Sequence, residues 1–210
     1  VMSSALVTVR VAEGLVAGRA DGGVVSFLGI PYAAAPFGPR RFQPPQPPSA
    51  WDGTREAFAY GPAAPQPATL PFVGAAAPRA VTWGTDCLTL NIRTPDIGAV
   101  GLPVMVYVHG GGYVCGTSAD PRTDGTAFAR DGVVFVSLNY RLGVDGFLPL
   151  PGVPTNLGLR DQLFALRWVR ENIAGFGGDP DNVTVFGNSA GAGVWGLMRD
   201  LPRRRDCFAG

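Results

Sequence analysis

Three stretches of this chain, Val104 to Val108 (VMVYV), Val133 to Leu138 (VVFVSL) and Val183 to Phe186 (VTVF), are apolar almost without alternation. A strand with one wet face alternates apolar with polar residues. A continuous run instead marks a strand covered on both faces, as in parallel sheets whose crossover helices lie above and below. Between the second and third runs, Leu159, Leu163, Leu166, Val169 and Ile173 recur at helical spacing, with Arg160, Arg167, Arg170 and Glu171 off that stripe. They predict a helix that ends near Gly175. A shorter helical segment, Gly125 to Arg130, separates the first two runs. The order strand, helix, strand, helix, strand implies an α/β fold: a mostly parallel central sheet, right-handed crossovers and helices on both faces.

Two other textures precede this part. Val7 to Val11, Leu15 to Ala17 and Val24 to Leu28 are β-prone and separated by Gly14, Gly18, Gly22 and Gly23, the pattern of a small antiparallel meander over residues 1–30. Twelve of the 20 prolines then fall between Pro31 and Pro78. Proline lacks the amide donor and restricts its predecessor, so residues 31–86 are expected to hold no helix or central strand and to wrap over the body. Tyr32, Phe37, Phe42 and Trp51 supply the means of docking. Residues 87–210 carry the α/β pattern, and no internal repeat is visible.

Charge and composition exclude several classes. The 17 basic and 16 acidic residues nearly cancel, and every basic residue is arginine. Apart from Arg203 to Arg205 they are scattered, so net charge supports neither nucleic acid nor an anionic membrane as a partner. No signal-type apolar core is visible in the first ten residues, and no run approaches the roughly 18 apolar residues of a membrane span. Three cysteines, Cys87, Cys115 and Cys207, make no disulfide framework and read as small buried hydrophobes. A cytoplasmic location is therefore expected. No metal or cofactor site is indicated.

Chemistry concentrates at two glycine-rich motifs. Gly187-Asn188-Ser189-Ala190-Gly191 follows the third apolar run and precedes a small-residue helical segment. In a G-x-S-x-G elbow the serine sits at the tip of a strained strand-to-helix turn with positive φ. Glycines two before and two after it are then a steric requirement. The plain alternative is a glycine-rich turn with an idle serine. His109-Gly110-Gly111-Gly112 follows the first run, and its bare backbone amides suit an oxyanion. Both motifs end predicted parallel strands, where α/β sheets place their sites.

With these motifs in place, the chain resembles the type-B carboxylesterases, the cholinesterase-like branch of the α/β-hydrolase fold, over what looks like their N-terminal portion. The blocks that carry the likeness are Gly29-Ile30-Pro31-Tyr32-Ala33 with Arg41-Phe42, Asp86 to Asn91, His109 to Gly112, Asn139 to Gly143, and the stretch from Asn156 to Gly191. The resemblance implies hydrolysis of a small carboxylic ester through an acyl-enzyme, without cofactor or metal. It makes Ser189 the nucleophile and Gly111, Gly112 and Ala190 the oxyanion donors. Tyr113, Phe147 and Trp195 are candidates for a pocket wall, and oligomeric state is not legible.

Three departures stand out. Asn188 occupies a position where the family usually has glutamate. Ala63-Ala64-Pro65-Gln66 carries no cysteine to pair with Cys87, as the family often does. The third concerns the base. Serine needs an imidazole to take its proton, and the only histidine is His109, on the oxyanion side. Asp200 and Asp206 follow Ser189 but no histidine does, so the chain is expected to stop within the fold, to leave the third apolar run as an exposed edge and to be inactive alone. A non-catalytic cholinesterase-like binding module, or a degraded gene, is the alternative; a hormone-sensitive-lipase-like hydrolase fails to explain Gly29 to Ala33 and Asp86 to Asn91.

Overall fold

The computed structural model of the chain describes residues 5–67 and 82–193. Strands β1 (Ala5–Val11), β2 (Gly14–Asp21) and β3 (Val24–Pro31) form the antiparallel meander. The β2–β3 turn is the pair Gly22-Gly23, with φ of 56° and 79°, the left-handed values that a two-residue hairpin matched to strand twist requires. A three-residue strand, β4 (Thr54–Glu56), lies parallel to β2 off the main path of the sheet. The next is β5 (Thr89–Thr94), which pairs antiparallel with β3. Then follow β6 (Leu102–Val108), α1 (Thr126–Arg130), β7 (Val134–Leu138), α2 (Gly143–Phe147), α3 (Leu157–Asn172), a 3-10 turn over Ile173–Phe176, and β8 (Gly178–Gly187).

The strands make one mixed sheet in the order β1-β2-β3-β5-β7-β6-β8. Strand β5 is antiparallel to β7, whereas β7, β6 and β8 run parallel, so the sheet is parallel where both glycine motifs end their strands. Across the register, Phe27, Ile92, Val136, Val106 and Val185 line one face and Ser26, Arg93, Phe135, Met105 and Thr184 the other. The α3 side covers the first face. Phe176 meets Phe27 edge to face at 4.9 Å, and a Cβ on Gly178 would lie 2.7 Å from Val104 and 2.9 Å from Ile173. Helix α1 covers the second through Phe128, stacked 5.3 Å from Phe135.

The path from β6 through α1 to β7 steps toward β5, and the path through α3 steps back across β6 to β8. Crossovers of one hand that step in opposite directions put their helices on opposite faces. The C-terminal ends of β6 and β8, side by side, are thus the place where such sheets open a crevice. Strand β8 ends the sheet among the described residues. Its Val183, Val185 and Phe186 are only half-buried because β6 is its one neighbour.

Helix α3 forms where its spacing predicts, but its buried face is rotated. Leu159 and Leu163 are half-buried, while Asp161 and Gln162 are fully enclosed. The reason is an ion pair. Asp161 accepts from Arg141 Nε at 2.8 Å, Nη2 at 2.6 Å and the Arg141 amide at 3.0 Å, with both side chains out of solvent. A fork of this kind satisfies charges that burial would otherwise make costly. The remaining guanidinium nitrogen, Nη1, donates to Gln43 O at 2.8 Å, which ties the proline-rich segment down. That segment is further held by Tyr32 Oη on Asn139 O at 2.7 Å, Trp51 Nε1 on Leu15 O at 2.9 Å, and an Arg41–Asp145 pair at 2.7 Å.

Candidate active site

Ser189 stands two residues past the end of β8 with φ +49°, the left-handed region that a side chain avoids unless its surroundings impose it. The surroundings are backbone. A Cβ on Gly187 would come 2.5 Å from Val108 O, and one on Gly191 would come 2.1 Å from the same oxygen and 2.8 Å from His109 O. Only glycine fits at either position, so the motif spacing expresses the close approach of the elbow to the end of β6. Ser189 is exposed, and helical structure begins at Ala190.

The glycine loop lies opposite. Gly110 faces Asn188, whose Oδ1 and backbone oxygen would sit 2.2 and 2.7 Å from a Cβ there. Gly111 and Gly112 have φ of +120° and +61°, and a Cβ on Gly111 would strike Cys115 O at 2.0 Å. The direction of the amides follows from their carbonyls, because N–H and C=O of one trans peptide point opposite ways. Gly110 O takes a 2.8 Å bond from His109 Nδ1. Gly111 O accepts from Val114 N and Cys115 N, both at 3.1 Å, and Ser189 O accepts from Ala192 N at 3.1 Å and Gly193 N at 2.9 Å. The amides of Gly111, Gly112 and Ala190 therefore turn away from these bonds, and none meets a protein acceptor among the described residues. Amides left without a protein acceptor can receive negative charge.

His109 is buried beside the loop rather than presented in the open. Its ring stacks on Tyr140 at 4.5 Å, and Tyr140 Oη donates to His109 O at 2.8 Å. Burial drives its pKa from 6.5 down to about 4, against an upward pull from the Gly110 bond and Asp120, so the imidazole is neutral at pH 7. Since Gly110 O can only accept, Nδ1 carries the proton of the neutral ring. A buried imidazole already committed in this way is poorly placed to draw a proton from serine.

A cavity of about 780 Å³ joins the two motifs; Ser189, Asn188 and His109 to Gly112 line it together with Tyr107, Asp120 and Thr123. Asp120, held below the usual carboxylate range chiefly by hydrogen bonds from Arg122, is the acidic group at the wall. Tyr113, with φ +64°, packs its ring 4.8 Å from Phe147, and its backbone oxygen accepts the Gly143 amide at 2.7 Å. Neither ring is among the cavity's lining residues. Trp195, Asp200, Asp206 and Cys207 lie outside the described residues. Cys87 and Cys115 are free and buried. Among the described residues no group of three or more His, Cys, Asp or Glu could hold a metal, and no helix is long and apolar enough to cross a membrane.

Sequence reasoning missed the polar frame behind the glycine loop: Tyr140 under His109, Asn188 over Gly110, and Asp120 at the cavity wall. Tyr140 did carry a signal, since it follows a buried strand next to Arg141. What it touches is 31 residues away.

The carboxylesterase family model matches residues 4–209. Para-nitrobenzyl esterase of Bacillus subtilis (strain 168) is 44% identical over 200 residues, covering 93% of this chain and 40% of that protein. Fumonisin B1 esterase of Sphingopyxis macrogoltabida is 46% identical over 197 residues, covering 90% of this chain and 36% of that protein. Among solved structures, a carboxylesterase of Geobacillus stearothermophilus superposes with a TM-score of 0.84 at 45% identity, over 93% of this chain and 41% of that one. A PNB esterase superposes with a TM-score of 0.87 at 42% identity, over 97% and 42%. The chain thus spans about two fifths of the length of these relatives. Because the match runs through the whole sheet, the glycine loop and the elbow alike, this chain belongs to the carboxylesterase family.

Proposed function

We propose that these residues form the nucleophile side of a serine carboxylic ester hydrolase. Ser189 Oγ adds to the carbonyl carbon of a small ester, its proton passes to a base, and the alcohol leaves with an acyl group bound to serine. Water then adds to that acyl-enzyme and releases the acid. The amides of Gly111, Gly112 and Ala190 stabilise the oxyanion in both steps. The observation that carries this reading is Ser189 itself, forced to φ +49° between two glycines that no larger residue can replace, across from a loop with free amides.

His109 is not the base in this reading, and no other histidine is present in these 210 residues. In this reading these residues supply the nucleophile and the oxyanion donors. The test uses the native product that contains this chain, assayed on a short-chain aryl ester. Ser189→Ala is expected to lower kcat by about 10⁴-fold or more; turnover that survives the substitution rules out the nucleophile. The isolated 210 residues are expected to show no Ser189-dependent turnover.

A further inference from the structure

Of the three carbonyls whose bonds set the direction of the candidate oxyanion amides, two are held by backbone amides of their own turns. Val114 and Cys115 amides hold Gly111 O, which also accepts from Cys115 Sγ at 3.4 Å, and Ala192 and Gly193 hold Ser189 O, so those two peptides are fixed by local geometry. The Gly110–Gly111 peptide is different, because among the described residues no backbone amide holds its carbonyl and His109 Nδ1 does, at 2.8 Å. Glycine on both sides leaves this peptide with little steric preference of its own. We propose that His109 is a positioning residue: by donating from Nδ1 to Gly110 O it locks the Gly110–Gly111 peptide so that the Gly111 amide faces the reacting carbonyl oxygen.

The surroundings are built for that bond. The ring is clamped flat against Tyr140 at 4.5 Å with 19° between planes, while Tyr140 Oη anchors the His109 carbonyl at 2.8 Å. Gly116, at φ +122°, leaves room for both partners: a Cβ there would lie 2.3 Å from His109 Nδ1 and 2.5 Å from Gly110 O. The neutral ring has one proton, and only the Nδ1–H tautomer can make this bond. A peptide that flips would turn an acceptor toward the oxyanion where a donor is needed, which converts attraction into repulsion.

The inference rests on the reading of Gly111 as an oxyanion donor, so Ser189→Ala is run beside it in the native product. His109→Phe keeps an aromatic ring over Tyr140 but removes the donor. His109→Asn places an amide N–H near the position of Nδ1, and His109→Leu has the branching of asparagine without the donor. His109→Phe is expected to lower kcat by about tenfold to a hundredfold, less than the full loss of one oxyanion donor, with KM changed by no more than about threefold. His109→Asn recovers most of that kcat, and His109→Leu does not. Where the Phe variant fails to fold, the Asn and Leu pair gives the same comparison. Wild-type kcat in a folded Phe or Leu variant, equal loss in the Asn and Leu variants, or an effect confined to KM would each overturn the proposal. If Ser189→Ala itself leaves turnover intact, the functional reading fails; if it abolishes turnover while a folded Phe variant remains fully active, only the role of His109 fails.

Discussion

Replacing Asp161 by asparagine keeps the shape of the side chain and removes its charge at the most enclosed ion pair of the fold. Asp161 and Arg141 are 0% and 1% exposed, and three of the four hydrogen bonds that Arg141 donates converge on the two carboxylate oxygens. Burial pushes the Asp161 carboxyl up, while the bonds and charge of Arg141 pull it back down. The substituted amide can accept through one oxygen only, so its nitrogen would face a guanidinium donor. Arg141 would keep Gln43 O and one amide oxygen as acceptors but lose its countercharge. Breaking one side of such a buried pair costs about 3–5 kcal/mol. For a chain of this size each kcal/mol lowers Tm by about 2–4 °C, so Asp161→Asn should lower Tm by at least about 6 °C. The double variant Arg141→Met with Asp161→Leu removes both charges together and should lie closer to wild type than either single change. Urea unfolding and differential scanning calorimetry on the wild type, Asp161→Asn, the single variants Arg141→Met and Asp161→Leu, and their double variant supply the loss and the cycle. A loss below about 1 kcal/mol for Asp161→Asn, or additive losses in the double variant, would refute the reasoning, since both require a pair that is already solvated.

Two further outcomes follow from titration and burial. His109 binds its proton less firmly in the folded chain, with a pKa of about 4, than in the unfolded chain, near 6.5. Folding is thus unaffected above about pH 7 and loses stability as pH falls from 6.5 to 4, by about 3 kcal/mol in all. His109→Phe should flatten that part of the profile in urea titrations at about pH 7 and about pH 4.5, and an unchanged acid limb would show that the loss originates elsewhere. The Cys87 thiol is fully buried and pushed up to about 12, chiefly by desolvation, so it should resist iodoacetamide at about pH 8 until denaturant is added. Peptide mapping by mass spectrometry reads this directly, and rapid native labelling at Cys87 would contradict it.

The parallel strands and the tight glycine-flanked turn at Ser189 were legible in the amino-acid sequence because the forces behind them act over a few residues. An unbroken apolar run must be covered on both sides, and a serine tip with backbone on either flank requires glycine at fixed offsets. The helix at residues 157–172 was legible in extent but not in orientation. Its hydrophobic stripe competes with Asp161, and what turns that carboxylate inward is Arg141, 20 residues away. Strand β5 escaped notice because TLNIRT mixes polar with apolar residues. Its Asn91 is acceptable in the interior because Ser118 and Ser137 take its amide protons and the Gly29 amide donates to its oxygen.

The sequence by itself determined the placement of a glycine-flanked serine and a glycine loop, each at the end of a buried strand, and it holds one histidine. Only the tertiary structure decided what surrounds that histidine. Its neighbours in the fold, Tyr140 and Gly116, bury the ring, take away its basicity and turn its one proton toward a loop carbonyl. Residue type sets which protons can be given or taken, but burial and the position of the acceptor set which transfer takes place, and both depend on contacts between segments far apart in the chain.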